Sequence, residues 1–119
     1  MIKTNVSNPT GARNLCILGS TGSIGQSTLD VVRLHPEKFN VISLSANTSI
    51  DKVVEQCIEF NPQTVVMGTV HYAELLTSRL IEENLSEIKV KHGSEALIDI
   101  AHEPASDTVM AAIVGAAGL

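Results

Sequence analysis

The sequence has no tryptophan, and aromatic residues make up only 3% of it. A core built on stacked rings is therefore excluded, and whatever is buried must be aliphatic. Hydrophobic residues reach 44%, which suits one core in a chain of 119 residues. Cysteine is scarce too. Cys16 and Cys57 each sit inside an apolar run, with no metal-ligand spacing around them. They read as reduced core thiols, neither a disulfide framework nor a zinc site. Positive charge is also short: 8 Lys and Arg face 13 Asp and Glu, a formal net charge of -5. Proteins that track phosphate backbones carry clustered Lys and Arg, so nucleic acid is not an expected partner. No stretch is apolar for long enough to span a membrane. Residues 1–13 are polar and contain Pro9 and Gly11. They read as a flexible N-terminal arm, not a signal peptide, and the expected compartment is the cytoplasm.

Apolar runs and chain breakers then alternate. Asn14 to Leu18 is a short apolar strand stopped by a glycine cluster. Ser23 to Leu34 reads as a helix with Pro36 just beyond it. Phe39 to Ala46 is rich in β-formers. From Ile50, the residues Ile50, Val53, Val54, Cys57 and Ile58 follow the spacing of one buried helical face. Thr48 or Ser49 can cap that helix, Asp51 favours its positive end, and Asn61-Pro62 closes it. Thr64 to Met67 reads as a strand. Tyr72 to Glu83 reads as a helix with Leu75, Leu76, Arg79 and Leu80 on one surface. Ile88 to Lys91 is a short strand whose polar positions suggest a sheet edge. Ser94 to Ala101 is a short helix, and the wholly apolar Val109 to Val114 is a strand expected at the sheet centre, as is Asn14 to Leu18. Five strands alternating with four helices specify an α/β fold, a doubly wound parallel sheet with right-handed crossovers. The sequence stops at Gly115-Ala116-Ala117-Gly118-Leu119, where such a fold calls for a helix, and so reads as truncated.

The chemistry concentrates in Gly19-Ser20-Thr21-Gly22-Ser23-Ile24-Gly25, between the first strand and the first helix. That context marks a phosphate loop. Gly19 allows a tight turn, Gly22 lets backbone approach a pyrophosphate, and Gly25 lets the helix pack closely on the strand. Thr21 and Ser23 offer hydroxyls and N–H groups to phosphate oxygens at a helix N-terminus. No Gly-Lys-Ser/Thr follows, so the loop is not one for ATP hydrolysis. NAD-specific folds place an Asp or Glu about 20 residues beyond the loop to hold the ribose 2′-OH. Here the second strand leads into Ser45-Ala46-Asn47-Thr48-Ser49, without a carboxylate. Neutral donors accept a 2′-phosphate that a carboxylate repels, which favours NADP over NAD.

Leu18 to Gly25, followed by Ser27-Thr28-Leu29-Asp30-Val31-Val32, resembles the opening of the 1-deoxy-D-xylulose 5-phosphate reductoisomerase family. Val109-Met110-Ala111-Ala112-Ile113-Val114-Gly115-Ala116-Ala117-Gly118-Leu119 is similar to that family's next block, and Val54-Glu55-Gln56-Cys57 and Pro62 lie between in the expected places. The resemblance covers Asn14 to Leu119. It implies a Rossmann-like NADPH-binding domain over residues 14–119, with the later domains absent. The full-length enzyme is then an NADPH-dependent oxidoreductase of the methylerythritol phosphate route to isoprenoids. It rearranges and reduces a sugar phosphate with Mg2+ or Mn2+ bound, as a homodimer. Carried over by motif, Thr21, Gly22, Ser23 and Ile24 contact the cofactor phosphates, Ala46 to Ser49 lie by the adenosine ribose, and Ala112 and Ile113 line the nicotinamide side. Asn47 and Thr48 stand where the family often has a glycine and a basic residue. The resemblance places catalytic residues and metal ligands beyond residue 119, so none is assigned here, and the chain alone is expected to be inactive.

The remaining candidates have plainer readings. His35, His71, His92 and His102 are dispersed and read as surface residues. Glu82-Glu83 is a solvated helix end. Glu95, Asp99 and Glu103 share a helical surface without a His or Cys to complete a metal set, and Met67 and Met110 fill core. Two other functions fit the same loop. One is another NADP-dependent reductase, such as a semialdehyde dehydrogenase, which requires a nucleophilic Cys after the nucleotide domain. The other is a non-catalytic nucleotide-sensing module.

Overall fold

A computed structural model describes residues 13–102 and the backbone of strand 108–111. The elements are β1 (Arg13–Leu18), α1 (Ser23–Leu34), β2 (Phe39–Ser45), α2 (Ile50–Phe60), β3 (Thr64–Met67), α3 (Val70–Glu82), β4 (Lys89–His92), α4 (Gly93–Ala101) and β5 (Thr108–Ala111). The five strands form one parallel sheet in the order β4-β3-β2-β1-β5. The chain builds outward from β1 to β4, and α4 then carries it back to the far side of β1. Right-handed crossovers of opposite direction put their helices on opposite faces. The packing agrees: Leu15, Ile17, Leu44, Val65 and Met67 meet Leu29, Val53, Leu76 and Leu80 on one face. Cys16, Leu18 and Val66 meet Ala96 and Ile100 on the other. Successive strand side chains alternate between faces, so a sheet covered on both sides needs the continuous buried runs seen in β1, β2 and β3, interrupted in β2 only by Ser43 and Ser45.

Several expectations shift. β5 was expected at the centre, yet it ends the sheet opposite β4 among the described strands. A wholly apolar strand reports that its faces are covered; it does not report how many strands flank it. Residues 112–114, expected to continue this strand, lie outside the described residues, as do the arm 1–12, Glu103, Asp107 and the final Gly115–Leu119. β1 is central as expected and begins at Arg13. β4 is an edge, with Lys89 and Lys91 exposed, a pattern that discourages strand addition.

In α2, Val53, Val54 and Cys57 are buried as the spacing required, but Ile58 is exposed and Gln56 takes a buried place instead. Asn61 closes the helix in the left-handed conformation, with φ 48° and ψ 58°. α3 starts two residues earlier than its apolar pattern suggested. The Thr69 hydroxyl accepts a hydrogen bond from the Tyr72 N–H there. Its buried face is Ala73, Leu76 and Leu80, and Leu75 is exposed. All four histidines and the pair Glu82-Glu83 are exposed, as expected, and Met67 is buried.

α1 approaches the end of β1 very closely. A Cβ at Gly25 would lie 2.2 Å from the Gly19 carbonyl oxygen and 2.7 Å from the Ser20 Cα. Both are backbone atoms, so they cannot yield as a side chain would. At the other end of the same helix, Arg33 holds the Glu59 carboxylate through two hydrogen bonds and also bonds Asp30. These groups are solvent-exposed, so the ion pairs orient α1 on α2 while adding little stability. Gly25→Ala is expected to destabilise the fold by about 3 kcal/mol through overpacking. Denaturant unfolding checks it: a midpoint within error of the parent would mean that α1 is free to lift.

Burial pushes the Cys16 thiol up to about 11 and the Cys57 thiol up to about 12. The thiolate is the reactive form, so both are chemically quiet. The sign is that of a proton held in the folded state: stability is complete below the unfolded thiol range and falls as pH rises toward these values. Both thiols are expected to resist a thiol-specific reagent at mildly alkaline pH and to react on unfolding. Rapid labelling of the folded protein at either position would contradict this.

Candidate cofactor-binding site

The sheet changes direction at β1: its neighbour β2 begins the outward run, and β5 arrives from the return crossover. A crevice at the carboxyl ends of strands is the usual ligand site at such a switch point in open α/β sheets. The loop Gly19–Gly22 stands there, between the end of β1 and the start of α1. The end of β2 lies beside it, because Ile17 pairs with Leu44.

The loop is fixed from two directions. The Gly19 N–H donates to Ser45 Oγ at 2.9 Å, and the Ser20 N–H donates to the Ser45 carbonyl at 2.8 Å. From the helix layer, Gln56 Nε2 donates to the Ser20 carbonyl at 2.9 Å, and its Oε1 accepts from the Ser20 hydroxyl at 2.7 Å. Ser20, Ser45 and Gln56 are all buried, where unpaired polar groups are costly. Here Ser20 and Gln56 satisfy each other, and Ser45 Oγ accepts from the Gly19 N–H. Gln56 escaped the sequence reading because the apolar periodicity assigned the buried place to Ile58. Its signal was a glutamine between Val53, Val54 and Cys57, on the edge of the buried stripe.

The three glycines have three different surroundings. Gly19 has φ 72°, the left-handed region that glycine adopts without strain. Gly25 is enforced by contact with the loop backbone. Gly22 is exposed and caps α1 at φ -79° and ψ 175°, a conformation open to any residue. A Cβ there would meet only the Gly19 carbonyl oxygen, at an ordinary 3.5 Å. Nothing within the described residues requires glycine at this position.

α1 begins without a side-chain cap and without an acidic residue in its first turn. Its first N–H groups and positive dipole end are thus available to an anion. Ser23 and Ile24 occupy that turn, both exposed, and Thr21 is partly exposed just before it. At the end of β2, Ala46 and Ser49 are half-buried, and Asn47 and Thr48 are exposed. Ser49 holds the N-cap position of α2 but makes no side-chain cap bond. Among the described residues, the hydroxyls of Thr21, Ser23, Thr48 and Ser49 have no hydrogen-bond partner, whereas those of Ser20 and Ser45 are both engaged. The buried hydroxyls build the loop, and the free ones line its open side. Asn47 lies against Gly68 at the end of β3, where its Oδ1 would be 2.3 Å from a Cβ. Ala112 and Ile113 lie outside the described residues; they follow β5, whose Ala111 pairs with Leu18 at the mouth of the loop. No group of three or more His, Cys, Asp or Glu able to hold a metal occurs among the described residues. No helix among them is long and apolar enough to cross a membrane.

A family model for 1-deoxy-D-xylulose 5-phosphate reductoisomerase matches residues 15–119. The protein of that name from Colwellia psychrerythraea is 65% identical over 107 residues, covering 90% of this chain and 26% of the relative. That from Paraburkholderia xenovorans is 50% identical over the same coverage. Among solved structures, a DOX-P reductoisomerase in complex with NADPH, fosmidomycin and magnesium superposes with a TM-score of 0.76 at 36% identity, covering 82% of this chain and 23% of that one. The Zymomonas mobilis enzyme in complex with NADPH superposes with a TM-score of 0.77 at 30% identity, covering 86% of this chain and 26% of that one. The chain therefore spans about a quarter of the length of the relatives it matches. With the family model matching residues 15–119, relatives up to 65% identical over 90% of the chain and a fold that superposes on the solved structures, this chain belongs to the 1-deoxy-D-xylulose 5-phosphate reductoisomerase family.

Proposed function

We propose that this chain is the NADPH-binding portion of an enzyme that converts 1-deoxy-D-xylulose 5-phosphate to 2-C-methyl-D-erythritol 4-phosphate for isoprenoid precursors. The observation that carries the binding site is Gly22: exposed, unstrained, with room for a side chain, and seated on an uncapped helix N-terminus. A glycine with no internal reason is accounted for by a ligand that must approach the backbone.

In this reading, the turn at Gly19 presents Thr21, Gly22, Ser23 and Ile24 to the pyrophosphate, through N–H groups and the two free hydroxyls. Ala46, Asn47, Thr48 and Ser49 take the adenosine ribose and its 2′-phosphate. Ala112 and Ile113, following β5, line the nicotinamide. The domain thus binds and orients the hydride donor. In the whole protein a divalent metal, Mg2+ or Mn2+, polarises the substrate oxygens. Its ligands are assigned to no residue here. The same reading makes the full-length protein a cytoplasmic homodimer that takes a sugar phosphate and binds no nucleic acid. Cys16 and Cys57 are both buried and both hold their protons tightly, so neither serves as the nucleophile that a cysteine-dependent reductase requires.

Gly22→Val tests the site. It is expected to weaken NADPH binding at least about a hundredfold, which is roughly 2.7 kcal/mol, with the unfolding midpoint nearly unchanged. Calorimetric titration of variant and parent, in the full-length protein where the chain alone binds too weakly, reads this directly. Equal affinity would remove the loop from the phosphate site. Met1–Leu119 alone is further expected to turn over no substrate with NADPH and metal supplied. Hydride transfer needs the sugar phosphate held within about 3–3.5 Å of the donor. An NADPH-oxidation assay beside the full-length enzyme decides it: metal-dependent turnover by the chain itself would place the catalytic centre within these residues.

A further inference from the structure

Gln56 touches neither the open side of the loop nor any of the residues proposed to meet the cofactor. It lies buried on α2, and both polar atoms of its amide are spent on Ser20. The two bonds have different consequences. The bond from the Ser20 hydroxyl to Oε1 satisfies a buried pair. The bond from Nε2 to the Ser20 carbonyl fixes the direction of a peptide plane. The described chain has no cis peptide bonds, and in a trans unit the carbonyl and the following N–H point in opposite directions. Drawing the Ser20 carbonyl toward α2 therefore turns the Thr21 N–H away from α2, toward the open side of the turn. Among the described residues that N–H has no partner. Its neighbours are committed: the Ser20 N–H to Ser45, the Gly22 N–H to the Gly19 carbonyl at 3.1 Å, and the Thr21 carbonyl to Gln26 Nε2 at 2.8 Å.

We infer that Gln56 is a positioning residue for cofactor binding, holding the Ser20–Thr21 peptide so that the Thr21 N–H is aimed at the cofactor pyrophosphate. This rests on the proposed NADPH site and adds to it the group that sets the direction of one donor. The side chain must supply a donor to Ser20 O and an acceptor to Ser20 Oγ at once. Glutamine does both; methionine of similar length does neither; glutamate places an oxygen against the carbonyl.

The test uses the full-length enzyme with Gln56→Met, Gln56→Glu and Ser20→Ala, alongside Gly22→Val. The probes are NADPH and 2′-AMP, which carries the adenosine 2′-phosphate but lacks the pyrophosphate. Gln56→Met and Gln56→Glu are expected to raise the NADPH Kd and KM about tenfold, with kcat within about twofold and 2′-AMP affinity unchanged. Ser20→Ala keeps the bond to the carbonyl, so it is expected to lower the unfolding midpoint while raising the NADPH KM less than Gln56→Met does. If Gln56→Met does not fold, the contrast between Gln56→Glu and Ser20→Ala carries the test. Parallel losses of NADPH and 2′-AMP affinity, or losses that merely track stability across the variants, would reduce Gln56 to a structural residue and overturn the inference. Unaltered NADPH affinity in the Gln56 variants beside a Gly22→Val variant that binds none would overturn it while leaving the cofactor site standing. Unaltered affinity in Gly22→Val would instead remove the site itself.

Discussion

The approach of α1 to the end of β1 is the constraint on which the site depends. A Cβ on Gly25 would lie 2.2 Å from the Gly19 carbonyl oxygen, so the start of α1 is packed directly against the loop backbone. Its N-terminus must open directly over the loop, and the loop must turn within a few residues, which Gly19 allows through its left-handed backbone. The loop then has no slack of its own and takes its shape from its neighbours. Ser45 holds it from the sheet and Gln56 from the helix layer. Two elements distant in sequence thus determine where a short loop presents its N–H groups. Packing, in this sense, is what turns a run of small residues into an anion site.

The charge of the chain works against its proposed ligand. A formal net charge of -5 repels an anionic dinucleotide at long range. Solvent and salt screen that repulsion beyond roughly 8–10 Å. At contact the balance is set by fixed local dipoles, and there the sequence is arranged differently. The first turn of α1 has no acid, its cap makes no side-chain bond, and the hydroxyls nearest to it are uncommitted. Donors already oriented need no reorganisation when an anion arrives. Affinity then rests on geometry, which makes the direction of each N–H matter more than the overall field.

Periodicity made the fold legible where one principle dominated. The runs Cys16-Ile17-Leu18 and Val65-Val66-Met67 read as strands covered on both faces, and the structure buries them in β1 and β3. The glycine spacing at 19, 22 and 25 located the turn and assigned a distinct role to each glycine, of which the structure bears out the turn at Gly19 and the packing at Gly25. Sequence failed where two principles competed. Ile58 satisfied the apolar pattern of α2, yet burial of Gln56 answered the polar groups of Ser20, a demand made by a residue 36 positions away. β5 was assigned to the centre because faces and edges leave the same mark on an apolar strand. The start of α3 was missed because a cap at Thr69 precedes the first periodic residue.

The choice between the two nicotinamide dinucleotides turns on what meets the adenosine ribose. A 2′-OH is held by a free carboxylate, whereas a 2′-phosphate is repelled by one. The acid nearest in sequence to Ala46–Ser49 is Asp51, in the first turn of α2. It is exposed, and its Oδ1 accepts a hydrogen bond from Arg79 Nη1 of α3 at 2.8 Å. An exposed pair of this kind does little for stability. Its local effect is to replace a bare negative charge with a dipole. An acceptor already occupied has less to offer a ribose hydroxyl, and a neutralised one has less power to repel a phosphate. The free hydroxyls of Thr48 and Ser49 supply neutral donors beside it. This chain thus sets neutral donors beside a paired carboxylate, an arrangement that opposes a 2′-phosphate less than a bare carboxylate would.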